Sequence, residues 1–372
     1  MTISGNPKES NVPVRPGLVS LRDRWWWSPL AVLFKVGVRL RHFAFDIGLK
    51  RSKKGALPSI VLGNITVGGT GKTPHVMALL QALAAADPEF RWAILSRGYG
   101  RTTKGYRRVE RSGAPADFGD EPLELCRRFP EVAVAVSEDR LEGLAQLKAE
   151  DAADAVLLDD GFQHRRLDPT YSIVLVDATQ PVDRDHFLPR GRLRDLPERL
   201  AQADAVVISR CPDVLTKGDL RLWRHRLHLK PEQLLLHSGT MVEGLRNLQT
   251  KRYAAWPRNC IAVTGIAHPA QFESALVRNC RVLRHFAYPD HHVFTAQEIE
   301  EWTAFSARQT VRPEAIITTE KDASRLREMD LPADMPILVM GIQVKWWDED
   351  ALRALLTSIR IKVDASLADP DI

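Results

Sequence analysis

A phosphate-loop, doubly wound α/β fold with a mostly parallel sheet is what this sequence predicts, and three observations carry that expectation. Residues 59–62 are a short apolar run, a glycine-rich turn follows and ends in Gly71-Lys72-Thr73, and residues 74–86 read as a helix. That strand, loop and helix order is the setting a phosphate-binding loop requires. Beyond it, short β-branched runs alternate with helical stretches, without the polar alternation of half-exposed strands. Strands covered on both faces read this way, and ligands of such sheets sit at the strands' C-terminal ends.

The elements follow in order. Residues 1–24 are rich in Pro, Gly, Asn and Ser, have no apolar core of a cleavable signal, and read as a flexible leader. Trp25, Trp26 and Trp27 open an N-terminal segment, residues 25–50, whose Lys35, Arg39, His42, Asp46 and Lys50 fall on one narrow helical stripe; Arg41 alone lies off it. Those charges would cost roughly 2.5–3.5 kcal/mol each at a bilayer centre, so the segment is not expected to span. It is expected to lie on an anionic membrane surface, tryptophans at headgroup depth and basic side chains toward lipid phosphates. The alternative is a helix packed on the protein's own core. Strands are expected at 92–96, 132–136, 155–158, 172–176 and 205–208, with helices near 122–129, 139–150 and 196–203. The alternation lapses over 231–256, which places a junction between a kinase-type domain, 51–245, and a smaller α/β lobe, 246–365. The lobe has strands at 261–264, 316–319 and 337–340, helices near 269–277, 296–308 and 348–359, and a short tail, 366–372.

At 372 residues, with 27% charged and 44% hydrophobic side chains, the chain can form two sizeable cores. Its formal charge is +5, and only Tyr99 and Tyr106 interleave with the basic loop at residues 97–111, so a nucleic-acid partner is not expected. Cys126, Cys211, Cys260 and Cys280 form no Cys-x-x-Cys pair, which argues against zinc or a disulfide framework and fits a reducing cytosol.

The chemistry-bearing residues come next. Glycines let the loop turn its N–H groups inward, and the following helix adds partial positive charge. Lys72 is suited to the terminal phosphates and the Thr73 hydroxyl to Mg²⁺. Thr66 stands where the common loop pattern has glycine. Asp159 and Asp160 end an apolar strand, as the acidic metal site of a phosphate-loop enzyme requires; Gln163, His164, Arg165 and Arg166 follow and suit phosphate, acceptor or solvent. Asp120 and Glu121, opening a helix before Pro122, fit either an N-terminal cap or the carboxylates a kinase needs for its acceptor proton and metal. Residues 189–197 are a second basic loop. His291 and His292 lack a third ligand at metal spacing. In Thr319-Glu320-Lys321-Asp322 the Lys and Asp are adjacent, where a guanine-reading motif separates them.

Together these motifs resemble the tetraacyldisaccharide 4'-kinase family, from about residue 25 to residue 322. They are Gly63-Asn64-Ile65-Thr66-Val67-Gly68-Gly69-Thr70-Gly71-Lys72-Thr73-Pro74, Leu95-Ser96-Arg97-Gly98-Tyr99-Gly100, Gly119-Asp120-Glu121-Pro122, Leu158-Asp159-Asp160-Gly161-Phe162-Gln163-His164, Thr264-Gly265-Ile266-Ala267, Asp290-His291-His292 and Thr319-Glu320-Lys321-Asp322-Ala323. The resemblance implies Mg²⁺-dependent transfer of the ATP γ-phosphoryl group to the 4'-hydroxyl of a tetraacyldisaccharide 1-phosphate, a lipid A precursor, at the cytoplasmic face of the bacterial inner membrane. It implies that Thr66, Val67, Gly68, Gly69, Thr70, Gly71, Lys72 and Thr73 hold ATP, and that Thr73, Asp159, Asp160 and Glu121 serve the metal. It implies Asp120 as catalytic base supported by His291, with Gln163, Arg194 and Asp195 toward the substrate. Thr66 belongs to the family pattern. The family's basic loop usually ends Leu-Arg-Glu, whereas this chain has Leu193-Arg194-Asp195. The rival readings are a nucleotide-switch ATPase or GTPase with a protein partner and a basic membrane-surface adaptor.

Overall fold

The structure is a computed structural model that describes residues 25–266, 269–290, 292–327, 329–332 and 335–369. The expected leader and the end of the tail lie outside the described residues. A 3-10 turn at Trp25–Trp27 enters α1 (Ser28–Asp46), with Pro29 in its first turn, where a missing N–H costs nothing. The remaining main elements are β1 (Ser59–Asn64), α2 (Lys72–Ala86), β2 (Trp92–Ser96), α3 (Asp120–Arg128), β3 (Ala133–Val136), α4 (Arg140–Ala149), β4 (Ala155–Asp159) and β5 (Tyr171–Asp177). Then come β6 (Ala205–Ser209), α5 (Lys217–Arg226), β7 (Leu234–Asn247), β8 (Asn259–Thr264), α6 (Pro269–Leu276) and β9 (Arg281–Ala287). The chain closes with α7 (Ala296–Arg308), β10 (Ala315–Thr319), α8 (Glu320–Leu326), β11 (Ile337–Trp346) and α9 (Glu349–Leu367).

One sheet carries the main strands in the order β9-β8-β10-β11-β7-β6-β5-β1-β4-β2-β3. Its main strands pair in parallel, except that β7 and β11 run antiparallel. β1 lies between β4 and β5, so the strand order reverses beside it, the place at which ligands of such sheets bind. Every residue of β1, β4, β5 and β6 is buried. One face of this half packs Ala31 of α1, Leu144 and Leu147 of α4, and Trp223 of α5. The other packs Val76, Leu79, Leu80 and Leu83 of α2, Leu123 of α3, and Leu355, Ile359 and Val363 of α9. The second lobe builds two clusters of its own, one around Trp302 and Phe286 and one around Phe272 and Leu276.

The lapse seen over 231–256 is where β7 runs. Its first residues, Leu234 to His237, pair in parallel with β6, and Ser238 to Asn247 then pair antiparallel with β11. A strand that changes partners, with a register shift between Val242 and Gly244, shows no single two-residue pattern. The helix expected at 196–203 is a 3-10 segment, Pro197–Gln202, and α5, β9 and the length of β11 and α9 were not anticipated.

Part of the polar stripe of α1 turns to the protein rather than to lipid phosphates, while Arg39 and Lys50 stay exposed. His42 is buried against Asp195 at 2.7 Å, Asp46 pairs with Arg165 at 2.9 Å, and the Lys35 ammonium lies 5.5 Å from the Phe187 ring centre. The apolar arc faces outward instead, with Leu33 66%, Leu40 63% and Phe43 58% exposed. No helix among the described residues is long and apolar enough to cross a membrane.

Ile359, fully buried on α9 against the sheet, tests how much the C-terminal helix holds the first lobe. Ile359→Ala is expected to cost about 2–5 kcal/mol, read as a lower urea midpoint at unchanged slope.

Candidate active site

The loop after β1 is fixed by its own side chains and by the second basic loop. A Cβ at Gly63 would come 2.7 Å from Phe162 Cβ, so glycine lets the segment after β4 close over β1. Gly68 and Gly71 have φ of 101° and 84°, a region costly for other residues. Asn64, wholly buried, donates from Nδ2 to Thr70 Oγ1 at 2.8 Å and accepts at Oδ1 from Arg194 at 2.5 Å. Val67 N–H donates to Arg192 O at 2.8 Å and Arg194 N–H to Ile65 O at 2.9 Å, which straps the two loops together. Arg210 donates to Gly69 O, Ser209 Oγ to Thr70 O, and His75 Nδ1 to Gly71 O at 2.7 Å. The carbonyls of Gly69, Thr70 and Gly71 are thus each held by a donor from outside the loop. His75 accepts at Nε2 from Ser238 of β7 at 2.8 Å, and its burial pushes the imidazole down to about 4, so the ring is neutral.

Two carboxylates end β4, and their surroundings differ. Asp159 is 2% exposed and its Oδ1 has no hydrogen-bond partner among the described residues. Burial, then the charges of Glu121 and Asp160, push it up to about 8. Burial also acts to raise Asp160, but Lys72 and Arg194 outweigh it and hold the carboxyl below its ordinary range. Arg194 grips both oxygens of Asp160, and Lys72 Nζ lies 3.7 Å from Oδ2. Thr73 is buried in the first turn of α2 beside Lys72. Gln163 Nε2 donates to Asn64 O at 2.7 Å and lies 3.4 Å from Asp195, which is buried. Thus Thr66–Thr73, Asp159, Asp160, Gln163, Arg194 and Asp195 converge on the ends of β1 and β4. Glu121 joins them through its charge on Asp159.

Asp120 meets the second lobe. Arg325 Nη2 donates to it at 2.5 Å, and Nη1 donates to Asp322 Oδ1 at 3.2 Å. Asp322 in turn accepts from Gly265 N–H at 3.0 Å and Thr319 Oγ1 at 2.8 Å. The Thr-Glu-Lys-Asp motif therefore caps α8 and seats Arg325, which explains why its Lys and Asp need no guanine-reading separation. Glu124 of α3 is pushed up to about 8 by burial and by the charge of Glu320 across the lobe contact. His291 lies outside the described residues. Its neighbour His292 donates from Nε2 to Glu298 at 2.9 Å and stacks on Tyr288.

Sequence reasoning gave no role to Asn64, Arg210, Arg325 or Arg140. Arg325 had a signal, because it stands three residues after Asp322 on a helix and so shares its face. Arg210 had none, since φ of 59° at a non-glycine residue is invisible in sequence. Arg101, in the basic loop at residues 97–111, has a side chain only 2% exposed that pairs with Glu138 at 2.7 Å.

A Gly-Lys-Thr loop at the switch point of a parallel sheet, with paired aspartates on the adjoining strand, defines a phosphate-loop nucleotide-binding α/β protein. A family model described as tetraacyldisaccharide-1-P 4'-kinase matches residues 23–360. The chain belongs to the tetraacyldisaccharide-1-P 4'-kinase family. Relatives named tetraacyldisaccharide 4'-kinase include one from Porphyromonas gingivalis, 38% identical over 321 residues, covering 83% of this chain and 88% of the relative. One from Parabacteroides distasonis is 35% identical and covers 82% and 84%. A solved structure of LpxK from Aquifex aeolicus in complex with ATP is 27% identical, with a TM-score of 0.70, covering 91% of this chain and 99% of that one.

Asp159 gives a pH test that needs no ligand. Its folded-state value of about 8 lies above the ordinary 3.8, so the folded protein holds a proton that the unfolded chain loses above pH 4. Its contribution to stability is greatest below pH 4 and declines as pH rises to 8, by at most about 1.4 kcal/mol per pH unit for one proton. Asp159→Asn is expected to flatten that decline between pH 5 and 8 in urea unfolding of the nucleotide-free protein; an unchanged slope would show the carboxyl ionised throughout.

Proposed function

We propose that the chain transfers the γ-phosphoryl group of ATP to the 4'-hydroxyl of a tetraacyldisaccharide 1-phosphate, giving lipid IVA. As a member of its family it is an ATP-dependent kinase of lipid A biosynthesis, a phosphotransferase serving lipopolysaccharide. The observation that carries the reading is the meeting of Lys72, Arg194 and Asp160 under one glycine loop, with Lys72 3.7 Å from Asp160.

In this reading residues 66–73 and the α2 N-terminus bind the triphosphate, and Lys72 meets its terminal phosphates. Thr73, Asp159, Asp160 and Glu121 are the oxygen ligands available to Mg²⁺. The unpartnered Asp159 Oδ1 suits a hard cation, and no group of three or more such side chains among the described residues would hold a metal by itself. Bound there, Mg²⁺ would neutralise charge on the β- and γ-phosphates. Asp120 takes the proton of the acceptor hydroxyl, oriented by Arg325 and, in our proposal, supported by His291. The nucleotide loop belongs to residues 51–245, and residues 246–365 supply Arg325 and His291. Arg194 serves the acceptor side, with Gln163 and the buried Asp195 behind it.

The acceptor is a lipid, so the enzyme works at a surface. The outward arc of Leu33, Leu40, Phe43 and Ile47 supports peripheral attachment of α1 to an anionic membrane, at the cytoplasmic face of the inner membrane where ATP is available.

Purified protein with labelled ATP, Mg²⁺ and acceptor in detergent micelles is expected to label the lipid, and chelation of Mg²⁺ to stop it. Absence of label on this and other sugar lipids would overturn the assignment. Asp120→Ala is expected to lower turnover roughly 10²–10⁴-fold while ATP affinity stays near wild type. Lost nucleotide binding in that variant would mark Asp120 as a ligand instead.

A further inference from the structure

We propose that Arg41 and His42 of α1 are positioning residues for phosphoryl transfer, holding Gln163 and the Arg194-Asp195 pair against the phosphate loop. The inference rests on the kinase reading of that site and adds a role for the N-terminal helix in the chemistry itself.

Two adjacent side chains of α1 reach two different segments of the site. Arg41 Nη2 donates to Gln163 O at 2.6 Å, and His42 Nε2 lies 2.7 Å from Asp195 Oδ1. The imidazole is 6% exposed, and Arg165 Nη1 lies 3.1 Å from its Nδ1. An arginine can only donate, so Nδ1 accepts and the Nε2–H is directed at Asp195. The other Asp195 oxygen receives Arg199 Nη1 at 2.7 Å and the Gln163 amide at 3.4 Å. Asp195 is thus a hub, 1% exposed, whose partners come from α1, the segment after β4 and the 3-10 segment.

The hub acts on the site through the residue beside it. Arg194 N–H and Asp195 N–H both donate to Ile65 O, at 2.9 and 3.2 Å, while the Arg194 side chain grips Asp160 and Asn64. Gln163, held by Arg41 at its carbonyl, donates its amide to Asn64 O at 2.7 Å. Displacing α1 would loosen the hold of both segments on Asn64 and Ile65, where β1 gives way to the loop. The aspartate at position 195 is one methylene shorter than glutamate, and His42 is the group that reaches it here. Such outer partners typically change metal affinity or activity by 10–100-fold although they touch no reactant.

The test uses the full chain in mixed micelles at saturating acceptor, with Mg²⁺ and ATP. His42→Ala is expected to lower kcat roughly 10–100-fold with KM for the acceptor within about twofold of wild type. His42→Gln, whose amide nitrogen falls where Nε2 stands, is expected to restore most of it. An unchanged kcat, or a rise in KM alone, would overturn the proposal and leave His42 as part of a membrane anchor. Loss of kcat that His42→Gln does not restore would also overturn it. If His42→Ala does not fold, Asp195→Asn carries the same test, with the same expected loss in kcat. If the wild-type protein labels no lipid, the kinase reading falls. The pair is then judged by calorimetry with Mg²⁺ and ATP, where His42→Ala binding as tightly as wild type would overturn it too.

Discussion

Two neighbouring carboxylates at the end of one buried strand govern the site, because the protein's counter-charge outweighs burial at only one of them. Lys72 and Arg194 both converge on Asp160, and Asp159 is left buried near the charge of Glu121, with one oxygen that has no partner among the described residues. An unpaired buried carboxylate is costly, and protonation is the usual relief. Asp159 is accordingly pushed up to about 8, while Arg140, itself buried and near Arg97, is lowered to about 10. The imbalance fits a site completed by charges the protein does not own. A triphosphate brings anions to Lys72 and Arg194, and a divalent cation brings the charge that Asp159 lacks.

That electrostatic arrangement depends on backbone geometry held from several directions. Asn64 links the end of β1 to Thr70 and Arg194, Arg210 and Ser209 hold the loop from β6, and His75 ties Gly71 to Ser238 on β7. The neutral His75 bridge matters because Ser238 is the residue at which β7 leaves its parallel partner for β11. The phosphate loop is therefore hydrogen-bonded to the ribbon that joins the two lobes.

Much of this was legible in sequence because local signals and the global fold agree. The 59–73 stretch has strand, glycine and Gly-Lys-Thr signals in one short run, and the Leu158-Asp159-Asp160 strand end has an apolar run stopped by two acids. The helix at 296–308 appears with its Thr295 and Glu298 capping box. Less legible was anything set by partners distant in sequence. Periodicity shows the stripe of α1 to be polar, but it does not say whether a polar face meets water, lipid or protein. The answer depends on Asp195 and Arg165, more than a hundred residues away. Arg101 was hidden for the same reason, since its counter-ion Glu138 lies in another loop.

β7 and α9 show why a junction read from a lapse in pattern describes only part of the architecture. A linker would leave the lobes coupled by few contacts. Here the chain crosses between them on a strand that is hydrogen-bonded along its length, first to β6 and then to β11. After β11 the chain returns, and α9 buries Leu355, Ile359 and Val363 in the same cluster as α2 and β1. Both strands of the ribbon are thus anchored in the nucleotide half, β7 through β6 and β11 through α9. Arg325, carried by the second lobe, meets Asp120 across this frame. The Asp120–Arg325 contact therefore ties the second half of the sheet to α3, beside the body that β1, α2 and α9 pack.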